Sequence, residues 1–248
     1  MGKLLRFELY KLFRSKGFFA CVGVAVLMCF VTLSSIHSRS TDGYSGFLAL
    51  TRAIENSSFC MLLGIFASIF VCDDYSGGTI RNIVTRGYTR TQIYFAKLIA
   101  LWIGSLVMLL CCWFVSTLIG ALLFGSGGGS VDVSQIGRLL RTQILLVLAY
   151  AALYNAICSA IQKTGVSVAV CVVLPILVVM LMNFIQISFV DDSLRDVFLE
   201  EYWIGDVLTS VSFPDTAADT VRFAVKAAAG YLLGSVALGW LALAKREY

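Results

Sequence analysis

Six apolar stretches, most of them long enough for a bilayer crossing, punctuate the chain. They lie near Gly17–Ile36, Ser57–Cys72, Leu98–Phe124, Leu139–Ile161, Val166–Val190 and Ala224–Ala244. A helix needs about 20 apolar residues to cross the hydrocarbon core, and there each backbone N–H and C=O must be paired within the segment. The alternation that marks a membrane barrel is absent. The expected fold class is an all-α membrane protein with six transmembrane helices, one domain over residues 1–248. The second stretch is the shortest, and its start can reach back into the turn containing Phe47–Leu50. Apolar types make up 59% of the chain and charged types 14%, against about 25% charge in a soluble domain. That balance excludes a disordered chain, a nucleic-acid-binding domain and a typical soluble enzyme.

Charge placement sets the expected orientation. With both termini in the cytoplasm, the inner segments hold 12 basic and four acidic residues, and the outer segments seven basic and 11 acidic. The basic excess inside follows the positive-inside rule, and an even number of spans returns the chain to its starting side. A cleaved signal peptide is the competing reading of the first span. Its apolar run is longer than about 7–15 residues, and Ser34-Ser35-Ile36-His37-Ser38 offers no good small-x-small site, so a retained helix is expected. The eight cysteines lie within spans or at their ends, without a CxxC pair. They read as small apolar fillers, with no metal site expected.

Two non-spanning segments stand out. In residues 1–16, Leu5, Leu9, Leu12 and Phe13 share one face of a helical wheel, with Lys3, Lys11 and Arg14 opposite. This predicts an amphipathic helix suited to the cytoplasmic headgroup layer; a partly helical basic leader is the plainer alternative. In the inner loop 73–96, Gly77-Gly78 breaks the descending helix. A short helix is then expected from Thr79 to Arg86, with Gly87 as its left-handed stop. Ile80, Ile83 and Val84 fall on one side of it, flanked by Arg81, Arg86 and Arg90, forming a small apolar face that projects into the cytoplasm. Thr89 and Gln92 make a capping box that opens the next helix. The outer loop 191–223 is acidic and rich in aromatic residues, and predicts one or two short interfacial helices.

The chemistry that is missing also discriminates. No GxxxxGK[ST] loop occurs, so that route to ATP hydrolysis is closed to this chain. The single histidine, His37, lies at an outer edge, and Glu200-Glu201 lacks the partners a membrane protease needs. No catalytic residue is assigned. The spans carry almost no deep ionisable groups, which argues against an ion-coupled carrier. Asn155, Asn183 and Gln186 are candidates to line a path for an amphipathic substrate; interhelical hydrogen bonding is the alternative reading.

The order of elements and the loop residues together resemble the ABC-2 type permease family, the membrane subunits of ATP-binding-cassette exporters. The family's pattern of acid-x-x-x-Gly-Thr, basic residues and a downstream Lys is matched by Asp74, Gly78, Thr79, Arg81, Arg90 and Lys97. Asp74 stands where the family usually has Glu, and the common proline of the corner is absent. The resemblance implies that residues 79–86 form a coupling helix on a separate ATPase subunit, with the N-terminal segment as an interface helix beside it. It further implies two ATPase copies, a second permease as homo- or heterodimer, and spans two and five along the dimer seam. ATP and magnesium would then belong to the partner, with no cofactor in this chain. The compact form is similar to exporters of antimicrobial or lantibiotic-like peptides in the bacterial cell membrane. A secondary transporter or channel working without an ATPase is the alternative.

Overall fold

The computed structural model describes residues 1–39, 46–54, 58–124, 133–189, 203–213 and 218–244. Among them every regular element is helical. In chain order these are α1 (Gly2–Arg14), α2 (Lys16–Arg39), α3 (Gly46–Thr51) with a 3-10 turn (Arg52–Ile54), α4 (Ser58–Ser76) and α5 (Thr79–Thr85). They continue as α6 (Arg90–Phe124), α7 (Val133–Ile161), α8 (Thr164–Phe189), α9 (Ile204–Ser210) and α10 (Ala218–Ala244). Six of them, α2, α4, α6, α7, α8 and α10, are long and apolar enough to cross a membrane. They coincide with the six stretches read from the sequence.

Burial sorts these six. In α4, 61% of the apolar window is buried, against 6% in α8 and 17% in α10. Phe59, Leu63, Phe66, Ala67, Phe70 and Val71 of α4 lie in one core with Leu146, Tyr150 and Tyr154 of α7 and Leu101, Met108 and Leu109 of α6. A helix apolar on all sides has no preferred solvent face, so its neighbours decide how much of it they cover. Here α4 takes the centre and α8 keeps most of its surface outside. The α8 helix runs through Pro175, a residue that removes one backbone donor.

The connections follow local chemistry. Ser15 is extended (φ −73°, ψ 120°) and separates α1 from α2. Gly78 and Gly87 bracket α5 with φ of +69° and +84°. A side chain is strained in that left-handed region, so glycine fits both corners. The capping box is present: Gln92 N–H donates to Thr89 Oγ1 at 3.4 Å, and Thr89 N–H donates to Gln92 Oε1 at 3.2 Å. It starts α6 at Arg90, two turns before the apolar stretch begins.

At the end of the bundle away from α1 and α5, α3 and α9 fold back onto the spans. The expected short helix in the outer loop is found as α9, but it faces inward. Trp203, Ile204, Val207, Leu208 and Val211 are all buried in the main core, because their spacing puts them on one helical stripe. Gln143 of α7 ties the two returning segments together, its Nε2 donating to Thr51 O at 2.9 Å and to Ser212 Oγ at 3.4 Å. The Arg52 guanidinium lies 4.3 Å from the centre of the Phe213 ring. The Gly/Ser corner at 126–130 and the acids Asp191, Asp192, Asp196, Glu200, Glu201 and Asp215 lie outside the described residues.

Candidate functional site

Four charged side chains from three elements meet where α1 crosses the ends of α4 and α6. Glu8 and Lys11 come from α1, Asp74 from the last turns of α4, and Lys97 from the third turn of α6. Lys97 and Lys11 each pair with Asp74, one on either carboxylate oxygen. Lys97 Nζ lies 3.6 Å from Glu8 Oε1. Glu8 is 0% exposed, Lys97 1% and Asp74 3%, while Lys11 is partly exposed. Both ammonium groups also approach the Phe70 ring, at 5.3 Å for Lys11 and 5.8 Å for Lys97. Two carboxylates and two ammonium groups neutralise one another, which is what makes such deep burial tolerable. Asp74 and Lys97 thus add buried charge that the sequence reading of the spans had not expected, placed at helix ends and internally paired.

Backbone geometry sets the approach of the three helices. Gly104 of α6 faces Phe66 of α4 and Leu12 of α1, and a Cβ there would stand 2.7 Å from Phe66 Cζ and 3.1 Å from Leu12 Cδ1. The buried stripe of α1 is Leu4, Glu8 and Leu12, at i, i+4 and i+8. Of the four residues expected on its apolar face, Leu12 is fully buried, Leu5 and Leu9 are half-buried, and Phe13 is exposed. The stripe is rotated toward Glu8 because Lys97 offers that carboxylate a buried charge partner.

Burial is the largest influence on Glu8 and holds its carboxyl above the ordinary value. The Lys97 charge pulls it down, Asp74 pushes it up, and Lys11 pulls it down. A raised folded value means that the folded chain keeps a proton the unfolded chain has released. The stabilisation from this group is complete below the unfolded value and is lost as pH rises through the raised folded one. Across that window the thermal midpoint of the wild-type protein is expected to fall relative to Glu8→Gln, which mimics the protonated form. Parallel midpoint curves for the two proteins would show that Glu8 titrates normally.

The short helix α5 is anchored beside this cluster. Ile83 packs with Leu4 of α1 and with Ile93 and Ala96 of α6, against Tyr88. Ile80 is buried as well. The apolar face read as projecting outward therefore points mostly into the chain, where Leu4 and Ile93 supply apolar surface for Ile83. Outward it shows Asn82, Val84, Thr85 and Arg86, with Val84 40% exposed. Thr79 and Gly78 are half-buried at the corner and Arg90 half-buried at the start of α6. The side chain of Arg81 lies outside the described residues. Asp74, Gly78, Thr79, Ile83, Arg90 and Lys97 are thus brought to one end of the molecule.

Two of the proposed path residues, Asn155 and Asn183, have described side chains. Asn155 is fully buried within α7, and Asn183 of α8 donates Nδ2 to Val179 O of its own helix at 3.1 Å. The side chain of Gln186 lies outside the described residues. The residues that sequence reasoning passed over are Glu8 and Lys11. Their signal was an acid placed one turn from Leu4 and from Leu12, on the stripe that became the buried one.

Comparison with known proteins places the chain in context. Residues 4–180 match the model of a family described as ABC-2 family transporter protein. A relative in Bacillus subtilis (strain 168), the uncharacterized protein YhcI, is 31% identical over 96 residues. That alignment covers 37% of this chain and 30% of the relative, so the chain spans under a third of the curated protein it matches.

Proposed function

Because the chain belongs to the ABC-2 family of transporter membrane proteins, we propose that it is a permease subunit driven by a separate ATP-binding-cassette ATPase. Its six helices mark it as an integral membrane protein. The observation that carries the reading is the junction of α1, α4, α5 and α6. A buried charge cluster joins α1 to the ends of α4 and α6, and an apolar patch seats the short helix α5 on α1 and α6. Work delivered to α5 from outside reaches the spans through those contacts. The exposed residues Asn82, Val84, Thr85 and Arg86 then form the surface that meets the ATPase, and Ile80, Ile83, Asp74 and Lys97 transmit what it does.

Two ATPase copies bind ATP and magnesium, and a second permease copy, identical or related, completes the path. The exposed α8 is the surface for that second copy, with a groove of about 630 Å³ along Val173, Leu174, Leu177 and Leu181. By contrast α4 is largely covered by its own chain, so the seam falls to span five more than to span two. Both termini face the cytoplasm of a bacterial cell, as the basic excess on the α1 and α5 side supports. The cargo is an amphipathic peptide, with Asn183 and Gln186 on the α8 side of its route.

The test is copurification. Val84→Asp combined with Arg86→Glu changes only exposed residues of α5 and its C-cap. It should remove the ATPase from the purified membrane complex while insertion and monodispersity remain those of the wild type. Full retention of the ATPase would sink the docking role of α5. Transport by the purified chain alone in vesicles would favour the secondary transporter instead.

A further inference from the structure

The inward turn of Glu8 has an outward counterpart. It removes the only acid of α1 from the surface and leaves a face composed of Lys3, Arg6, Phe7, Tyr10, Phe13 and Arg14. Phe7 is 46% exposed, Tyr10 62% and Phe13 48%. Basic heads interleaved with aromatic rings suit a boundary that is apolar on one side and anionic on the other. Arg14 is already held on this face, donating from Nη1 to Tyr10 Oη at 2.6 Å.

Continuity with the first span fixes the setting of this face. Phe13 meets Phe18 edge-on at 6.2 Å between centroids, and Phe18 meets Phe19 edge-on at 5.6 Å. Phe19 is exposed on α2, and Leu27, Phe30 and Val31 farther along that helix are exposed as well. With the second copy on α8, this apolar surface of α2 is left to face acyl chains. The exposed Phe13 therefore joins that surface through the buried Phe18 ring, which sets the basic heads of α1 at headgroup level.

We propose that the outer face of α1 is a binding surface for anionic phospholipid headgroups, with Lys3, Arg6 and Arg14 on the phosphates and Phe7, Tyr10 and Phe13 in the acyl boundary. The amphipathic helix is thus used on both sides. Leu4, Glu8 and Leu12 dock it on its own bundle, and the opposite face reads the membrane. This surface stands apart from α5, and the proposal does not depend on the ATPase reading.

The full chain, purified in neutral detergent, is titrated with phosphatidylglycerol or phosphatidylcholine while its thermal midpoint is followed. Phosphatidylglycerol should raise the midpoint at concentrations where phosphatidylcholine does not. High salt should suppress the response, since the screening length falls to about 3 Å at 1 M. Arg6→Gln with Arg14→Gln should raise the half-effective phosphatidylglycerol concentration by roughly 25-fold, about fivefold per charge. Arg6→Lys with Arg14→Lys should keep the response, because the headgroup field acts on charge. Equal responses of the wild type to both lipids would overturn the proposal, and so would an unchanged response in the Gln pair. The same holds if the Gln pair loses a copurifying ATPase while the wild type ignores phosphatidylglycerol, because the face would then be a protein-docking surface.

Discussion

Lys97→Met is expected to destabilise the protein by about 3–5 kcal/mol, the cost of stripping a buried ion cluster of one partner. Methionine fills much of the same volume, so the loss is electrostatic in origin. Asp74 keeps Lys11, but Glu8 is left fully buried without the ammonium that lies 3.6 Å away. For a chain of this length the thermal midpoint should drop by roughly 10 °C. Adding Glu8→Gln to Lys97→Met removes the stranded charge and should recover part of the loss, with a coupling of about 0.5–3 kcal/mol between the two sites. Fluorescence-detected size exclusion after a heat step reads all three variants. A Lys97→Met protein as stable as the wild type would mean that the cluster is not electrostatically coupled.

A cluster this costly to break is not thereby a net source of stability. Replacing a whole buried ion group with apolar residues is often neutral or stabilising. Its explanation therefore lies in what it joins. Apolar contact alone lets helices slide in small steps, because many registers bury similar area. Two lysines sharing one aspartate admit few arrangements. The cluster thus fixes α1, the end of α4 and the start of α6 in one register, directly behind α5. On the proposed function, force arrives at α5 and that fixity carries it to the spans; hydrophobic packing alone supplies it less well.

The spans were legible because each is a local property: an apolar run long enough for the bilayer needs no knowledge of its neighbours. The corners were legible for the same reason, since Gly78, Gly87 and the Thr89–Gln92 cap act within a few residues. What the sequence hid is tertiary. On a wheel scored by apolarity, Glu8 belongs to solvent, and only Lys97, far along the chain, offers it a buried partner. Ile80, Ile83 and Val84 were grouped on one face of a short helix, and of the three Ile80 and Ile83 are buried while Val84 is exposed. Whether that face meets the chain or a partner depends on Leu4 and Ile93, which periodicity does not bring together. The inward α9 was half legible: its stripe was present, but the acids around it drew attention to the surface.

Ile83→Asp and Val84→Asp, neighbours in sequence, are expected to behave oppositely. Ile83 is 6% exposed and Val84 40%. Removing the isoleucine forfeits about 1.5–3 kcal/mol of burial. The aspartate then sits among Leu4, Ile93 and Ala96 without a partner, which adds about 1–3 kcal/mol even in its protonated form. A total near 4 kcal/mol is expected to detach α5 from α1 and α6, and the thermal midpoint should fall accordingly. Val84→Asp should change stability by less than about 0.5 kcal/mol, as exposed substitutions generally do. Both variants should lose a docked ATPase, the first because its seat has come apart and the second because the contact itself is charged. Comparing midpoint with copurification separates these causes. Equal midpoints would place Ile83 on the outside, and the inward anchoring of α5 would have to be abandoned. Retention of the ATPase by Val84→Asp at an unchanged midpoint would leave the inward anchoring intact but move the docking surface elsewhere on this end of the molecule.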